Sequence, residues 1–260
     1  MERETETSVR IRAFRAIDDY QSSLRFFEGH RKVLDNHGID KVTSSNLDWA
    51  SNPSVFAVLV ESLDGTKAYG GARIHAYDGI HPLPIQEATG LMDPHIHEAV
   101  NERARKGTGE ICGLWNSVEV ANMGIGSYFS TMVALSLTTQ IGLDSLFALC
   151  SPYTVRFSQW VGCRILTTVG NNGTFYYPKL DLIATVLVDD DVTNMPNADP
   201  IAREKILNLR RHPFQVIRDA APIKKIEFEI TYDIVIPGIK PNEFKISGEK
   251  IIKENITDAY

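Results

Sequence analysis

The fold of this chain is decided by residues 109–166, which read GEICGLWNSVEVANMGIGSYFSTMVALSLTTQIGLDSLFALCSPYTVRFSQWVGCRIL. A short apolar segment leads to Gly124-Ile125-Gly126, and a long apolar run with helical spacing follows as far as Ile141. A second apolar segment, Leu146 to Cys150, is followed by Ser151-Pro152, a pair typical of the first residues of a helix. Strand, glycine turn, helix, strand and helix in this order predict a sheet covered by helices.

The glycine turn before the long helix is the first candidate for a binding site. Two glycines allow the backbone to turn tightly, and the first turn of a helix has N–H groups without partners inside the helix. With the positive end of the helix dipole, these groups attract an anion such as a phosphate. A turn needed only for close packing is the alternative. Phe129 stands where a dinucleotide-binding turn has its third glycine, and no Lys-Ser/Thr pair follows as in a P-loop.

The segments on both sides extend the same architecture, because alternating apolar residues predict strands and apolar residues at helical spacing predict helices. The predicted elements are a strand at 9–16, a helix from Asp18 or Asp19 to about Asn36, a hairpin at 55–76, a loop at 78–92, a helix at 93–107, strands at 164–169 and 174–188, a helix from Asp199 and a strand at 226–236. We therefore expect an α/β (α+β) protein with a mixed central sheet flanked by helices. Residues 1–190 are expected to form the main domain, and residues 191–260 a helix-strand extension packed on that domain or in a dimer.

The composition argues against several classes of protein. The chain has 260 residues, of which 23% are charged, and its net charge of -6 argues against nucleic-acid binding. Its first ten residues are polar and acidic, unlike a signal peptide, and no apolar run approaches the length of a membrane span. Cys112, Cys150 and Cys163 are scattered and are expected to be thiols of a reducing compartment, so we expect a cytoplasmic protein. No spacing of His and Cys residues predicts a metal site.

Residues 109–166 resemble the acyl-CoA-binding half of the GNAT N-acyltransferases. The family's loop Gln/Arg-x-x-Gly-x-Gly/Ala is matched here by residues 121–126, ANMGIG, and residues 157–163, FSQWVGC, are similar to its fourth helix. In element order the resemblance extends over residues 9–188. It implies a GNAT-like sheet and a loop whose backbone N–H groups bind the pyrophosphate of CoA. The residues concerned would be Met123, Gly124, Ile125, Gly126 and Ser127.

The middle of the chain is also similar to the acyl-homoserine-lactone synthases and the related N-acyl amino acid synthases. The similar features are a strand containing Arg73, then Leu83-Pro84 before an insertion, and Glu110 at the start of the central strand. This likeness implies a bacterial protein and adds acyl carrier protein, with its phosphopantetheine, to CoA or acyl-CoA as the donor. The segment from Glu110 to Leu114 lacks the arginine of the synthases' Glu-x-Ser/Thr-Arg-Phe, which argues against homoserine-lactone synthesis itself.

Transfer of an acyl group from a thioester to an amine needs a neutral amine, a stabilised oxyanion and a bound donor. Because a free amine is mostly protonated at neutral pH, a base helps, and the candidates are Glu110 and Glu119. The N–H groups of Leu114, Trp115 and Asn116 are candidates for binding the pantetheine arm and polarising the thioester carbonyl, provided that their strand separates from its neighbour.

The acid that would protonate the leaving thiolate is a separate question. Ser158 stands where many GNAT members have a tyrosine for this role. The acid is therefore missing, or is replaced by Tyr153 one turn away, or is unnecessary because a thiolate also leaves unprotonated.

Three functions remain open from the sequence. The first is an N-acyltransferase that uses a CoA or carrier-protein thioester on a small amine, with an N-acyl amino acid synthase-like signal synthase as its narrower form. The second is a protein of the same fold that binds acyl thioesters or pantetheine ligands without turnover. The third is an interaction protein whose C-terminal strand forms a homodimer.

Overall fold

Within the residues that the structure describes, ten strands form one mixed sheet. The structure, a computed structural model, describes residues 8–36, 38, 46–120, 125–221 and 226–246. The strands are β1 Ser8–Arg15, β2 Val55–Glu61, β3 Ala68–Ala76, β4 Thr108–Asn116, β5 Ser145–Cys150, β6 Arg164–Ile165, β7 Thr174–Tyr176, β8 Ile183–Asp189, β9 Phe214–Ala220 and β10 Glu227–Asp233. Their order is β6-β8-β5-β4-β3-β2-β1-β10-β9, and β7 also pairs with β8. The pairs β4–β5 and β1–β10 are parallel and the others antiparallel, so the predicted mixed sheet is confirmed.

Helices cover both faces of this sheet. They are α1 Tyr20–Asn36, α2 Pro84–Thr89, α3 His95–Ala104, α4 Ser127–Ile141, α5 Pro152–Trp160 and α6 Pro200–Arg211. The alternation along β3 separates the two faces, because successive side chains of a strand point to opposite sides. Ala72 and Ile74 belong to the core on the α4 side, whereas Arg73 lies over the ring of Phe26 of α1. Polar residues of β3 thus lie on the α1 side.

The long helix α4 is buried on almost all its faces. It packs against β2, β3 and β4 on one side and against α6 on the other. Gly142 ends it in the left-handed conformation, with φ +85°, which glycine adopts without steric cost. The expectation of a buried helix that begins after the glycine turn is confirmed.

One carboxylate ties the first strands to α1. Glu61, at the end of β2, is fully buried and pairs with three arginines. Its Oε1 lies 2.6 Å from Nη2 of Arg10 and 2.7 Å from Nε of Arg12, and its Oε2 lies 3.0 Å from Nη2 of Arg25. Because Arg10 and Arg12 belong to β1 and Arg25 to α1, this cluster fixes α1 against the edge of the hairpin.

Three segments differ from the sequence-based expectations. The expected loop at 78–92 contains α2, whose first residue Pro84 is a residue favoured at this helix position. The single strand expected at 174–188 is divided into β7 and β8, because Pro178, which has no N–H to donate to a strand ladder, lies between them. The strand expected at 164–169 is only two residues long.

The C-terminal part of the chain adds β9 and β10 to the sheet beside β1. β10 pairs in parallel with β1, from Ser8 opposite Glu229 to Arg12 opposite Asp233. Sequence analysis missed β9, an edge strand whose residues alternate between exposed and half-buried. The division of the chain at residue 190 stays a prediction. Within the described residues, none of the helices combines the length and the apolar character needed to cross a bilayer.

Candidate functional site

The central strand β4 separates from β5 halfway along its length. The two strands pair from Thr108 opposite Ser145 to Ile111 opposite Ala148, and then β4 continues to Asn116 without further pairing to β5 among the described residues. On its other side β4 has a bulge, because Arg73 pairs with Cys112 but Gly71 pairs with Trp115. Bulges bend a strand and raise its twist. The separation that donor binding requires is therefore present beside residues 112–116.

Gly113 is the residue that makes this bulge compatible with its neighbours. Its φ is +58°, in the left-handed region. A Cβ atom at this position would lie 2.9 Å from Nε of Arg73, closer than side chains pack. Glycine is required here both by the backbone and by the buried arginine behind it.

A cluster of polar side chains lies at the point where β4 leaves β5. The β3–β4 register places Arg73 opposite Cys112 and His75 opposite Glu110, all on the α1 side of the sheet. Arg73 is 1% exposed, and its guanidinium lies 4.4 Å from the centroid of the Trp49 ring. We call Arg73, His75, Glu110 and Cys112 the β3–β4 polar cluster.

Glu110 is the buried carboxyl of this cluster. It is 2% exposed, and its Oε2 accepts a hydrogen bond of 2.6 Å from the N–H of Ile85, in the first turn of α2. Burial raises the pKa of Glu110 to about 8, although the Ile85 hydrogen bond and the charge of Arg73 act in the opposite direction. A carboxyl whose pKa lies near neutrality can accept a proton and later release it.

A cavity of about 340 Å³ opens above the cluster, between the short helical turn at Asp48–Ser51, β3 and α2. Arg73 and His75 line it, together with the acidic residues Asp48 and Glu87, whereas Glu110 is not among the described lining residues. Burial raises the pKa of Glu87. The cavity therefore combines a buried cation with acidic groups, which suits a polar small molecule.

The first turn of α4 is packed more closely than a free anion site would be. The side-chain Oδ1 of Asn116 accepts a hydrogen bond of 2.9 Å from the N–H of Ser127, so this amide already has a partner. A Cβ atom on Gly126 would lie 2.7 Å from the carbonyl oxygen of Trp115 and 2.9 Å from Cα of Gly70. Ile125 is 1% exposed. Gly126 is thus needed for close packing, which was the alternative explanation of the glycine turn. Met123 and Gly124 lie outside the described residues.

Leu114 and Trp115 contribute side chains to the core. The Trp115 ring is 3% exposed, meets Phe26 edge to face at 5.8 Å, and occupies the space that a side chain at Gly29 would need. Leu114 is half-buried and packs against the core on the α4 side. Their packing leaves the backbone N–H groups of this segment as the candidates for contact with a donor.

The other two predicted catalytic residues lie apart on the surface. Glu119 is exposed, on the helical turn Val118–Val120, and borders a second cavity, of about 600 Å³, between α1 and the end of β4. Tyr153 is 95% exposed at the start of α5. Ser158 stands where many GNAT members have a tyrosine, and its Oγ lies 3.3 Å from Sγ of Cys150. The roles predicted for all the candidate residues stay predictions.

Sequence reasoning gave no catalytic or binding role to Arg73 or His75. The signal was available in β3, where Ala72, Ile74 and Ala76 alternate with them in an otherwise apolar hairpin. An arginine and a histidine two residues apart on one face of a buried strand need partners there. Their neighbours on β4 and α2 could only be recognised from the register.

The mixed sheet, with β4 parting from β5, agrees with the GNAT-like fold expected from the sequence, and solved structures share this fold. FeeM, an N-acyl amino acid synthase from uncultured soil microbes, aligns with a TM-score of 0.53 and 15% identity, over 75% of this chain and 97% of its own. MesI, a CoA-dependent acyl-homoserine lactone synthase, aligns with a TM-score of 0.54 and 17% identity, over 82% and 98%. BjaI, a synthase of the same kind solved with SAM and isopentyl-CoA, aligns with a TM-score of 0.51 and 11% identity, over 96% and 100%.

The assignment of the fold rests on the solved structures alone. No protein-family model matches the chain, and no curated protein sequence matches it either. At 11–17% identity, the solved structures establish the fold. The expected likeness to the N-acyl amino acid synthases and the acyl-homoserine-lactone synthases is confirmed at the level of the fold.

Proposed function

We propose that this protein is an N-acyltransferase that moves an acyl group from a CoA or acyl-carrier-protein thioester to an amine. The observation that carries the proposal is the separation of β4 from β5 directly beside the buried β3–β4 polar cluster. An opening between strands lets a donor on the α4 side reach an acceptor on the α1 side. The cluster supplies ionisable groups at the place where the two would meet.

On the donor side, the backbone of residues 114–116 would pair with the pantetheine arm. A backbone N–H of this segment would donate to the thioester carbonyl oxygen and stabilise the negative charge that develops on it. The amides from Met123 to Ser127 would bind the phosphates, as the resemblance implies. The hydrogen bond from Ser127 to Asn116 would then have to open or be shared.

On the acceptor side, the cavity beside α2 would hold the amine. Asp48 and Glu87 favour a cationic group there, and Glu110 is the base that receives its proton. The neutral nitrogen attacks the carbonyl carbon, a C–N bond forms, and the C–S bond breaks with its electron pair on sulfur. The proton lost from nitrogen ends on the carboxylate, and the thiolate leaves unprotonated or takes a proton from Tyr153. Glu119 stays the second candidate for the base.

Several finer features belong to this proposal. Acyl carrier protein is an alternative donor, and a signal synthase acting on an amino acid is a narrower alternative to a general amine acceptor. Among the proteins of similar fold, FeeM is an N-acyl amino acid synthase, and MesI and BjaI are CoA-dependent acyl-homoserine lactone synthases. A cytoplasmic location and a homodimer are likewise proposals. Three cysteines without a disulfide are consistent with a reducing compartment.

The experiment that tests the function has two stages. Thermal unfolding and native mass spectrometry are first measured with CoA, acyl-CoAs and acylated carrier protein. A ligand at 100 times its Kd should stabilise the fold by about 2.7 kcal/mol, which corresponds to roughly 5–10 °C in Tm for a chain of this size. Release of free thiol from the donor that binds is then followed with a panel of amines.

The outcomes separate the open functions. Amine-dependent thiol release that falls about 100-fold or more in Glu110→Gln supports the transferase. Binding without amine-dependent thiol release would instead identify a protein that binds acyl thioesters without turnover. The absence of any stabilisation by CoA or a carrier protein would contradict both functions and leave the interaction protein.

A further inference from the structure

We propose that His75 carries the proton from the acceptor amine to Glu110, an inference that rests on the proposed function. Glu110 is buried and is not among the described residues that line the acceptor cavity, whereas His75 does line it. His75 is also the cross-strand neighbour of Glu110, with their Cα atoms in register on β3 and β4. The imidazole therefore borders the cavity and lies on the same face of the sheet as the carboxyl.

The environment of the ring fits a carrier rather than a structural histidine. Nε2 of His75 is buried and has no hydrogen-bond partner among the described residues, while the residue as a whole is half-buried at the cavity wall. A buried polar atom without a partner costs free energy, so its retention needs an explanation. A proton carrier needs access to the cavity and a nitrogen inside the protein, and His75 borders the cavity and has a buried Nε2.

The charges around His75 keep it neutral and give the proton a destination. Arg73 lies two residues from His75 on β3, and Glu110 is its cross-strand neighbour on β4. The other charged or titratable residues at the cavity are Glu87 of α2, Asp48 of the helical turn and His81. Burial and then the charge of Arg73 hold the pKa of His75 well below its usual value. Burial raises the pKa of Glu110 to about 8, so the carboxylate has the higher proton affinity of the two groups.

The step balances without another reactant. After the nitrogen of the amine has added to the thioester carbonyl, it gives one proton to the ring nitrogen of His75 that faces the cavity. Because no hydrogen bond joins His75 and Glu110 among the described residues, the two side chains must first approach each other. The other ring nitrogen then gives its proton to the Glu110 carboxylate, and His75 ends neutral as the other tautomer. The C–S bond then breaks and the thiolate leaves with the electron pair.

The test begins with a measurement that needs no donor or acceptor. The ¹⁵N shifts of the histidine side chains are followed by NMR from pH 5 to 9 in the full chain and in Glu110→Gln. A step in the His75 signals near pH 8 that disappears in Glu110→Gln supports the proposal, because it reports ionisation of Glu110 felt at the ring. Signals of His75 without this step, or with a step that survives the substitution, would overturn it.

Turnover provides the second arm, with His95 as the matched control. His95 lies on α3, and its ring is mostly exposed and pairs with Asp93 at 2.7 Å. We expect His75→Gln to lower kcat about 100-fold with little change in KM for the donor, and His95→Gln to leave both unchanged. Equal kcat in His75→Gln and wild type would refute the relay. If the wild type itself consumes no thioester, the proposed function fails, and the NMR arm still decides whether His75 and Glu110 are coupled.

Discussion

The buried carboxyl of Glu110 makes the stability of this protein depend on pH in a definite direction. Glutamine at this position keeps a carbonyl oxygen that can accept the N–H of Ile85, but it does not titrate. The comparison between wild type and Glu110→Gln therefore isolates the ionisation of one group. Titrating residues far from Glu110, including Asp189, contribute to both proteins and cancel in the difference, whereas the smaller contribution of Glu87, which interacts with Glu110, remains.

The sign and size follow from the difference between the folded and unfolded states. In the folded protein the pKa of Glu110 is raised from 4.5 to about 8, so between these values the unfolded chain has lost a proton that the folded chain keeps. The stabilisation from the protonated carboxyl is complete below about pH 4.5 and is lost as the pH rises through 8. At about 1.4 kcal/mol per pH unit, the loss is on the order of 4 kcal/mol over the whole window.

The assay is urea unfolding followed by circular dichroism at half-unit steps from pH 4.5 to 8.5. We expect the unfolding free energy of the wild type, minus that of Glu110→Gln, to fall steadily through this range. A difference that stays constant would refute the reasoning, because it would mean that Glu110 is ionised in the folded state at the same pH as in the unfolded chain. A difference that rises would mean that Arg73 outweighs burial.

Three further substitutions test the surrounding architecture by the same unfolding assay. Gly126→Ala should destabilise the fold by about 1–2 kcal/mol, because the new Cβ would meet the backbone of two strands; a stability equal to wild type would contradict the close packing. Glu61→Gln should cost roughly 2–4 kcal/mol, since three arginines lose their buried carboxylate, and no loss would mean that the cluster is not formed. Burial is the main reason that the pKa of Asp189 is raised to about 6. The unfolding free energy of the wild type, relative to that of Asp189→Asn, should therefore fall by roughly 2 kcal/mol between pH 4 and 6. The same pH dependence of the unfolding free energy in both proteins would show that this carboxyl is not buried.

The parts of the fold that sequence reasoning recovered are those with strong local signals. The helix after the glycine turn has a wide apolar surface, which indicated burial against a sheet; the structure adds that α6 covers its other side. The hairpin at 55–76 was recognisable from its turn, Asp64-Gly65, between two apolar segments. The segments that were missed have weak or contrary signals. Prolines in residues 82–84 concealed α2, and the half-exposed alternation of β9 carries little apolar periodicity.

Of the candidate site, the sequence identified the strand but not the residues that face one another across it. Residues 111–116 were predicted as a strand, and Glu110 was chosen because it stands at the start of that strand. Glu119 and Tyr153 were chosen for their chemistry and their distance along the chain, and they lie on the surface. Sequence separation alone does not indicate which side chains share a cavity.

By itself, the sequence determined the kinds of elements, their order and the turn at which α4 begins, because these depend on local periodicity and on glycine. Only the tertiary structure decided that β4 leaves β5 after Ile111, that Gly126 is pressed against β3, and that His75 and Glu110 are neighbours. Those features depend on strand register and on burial. Register joins residues far apart in sequence, and burial sets the proton affinity of a carboxyl that would otherwise be an ordinary surface acid.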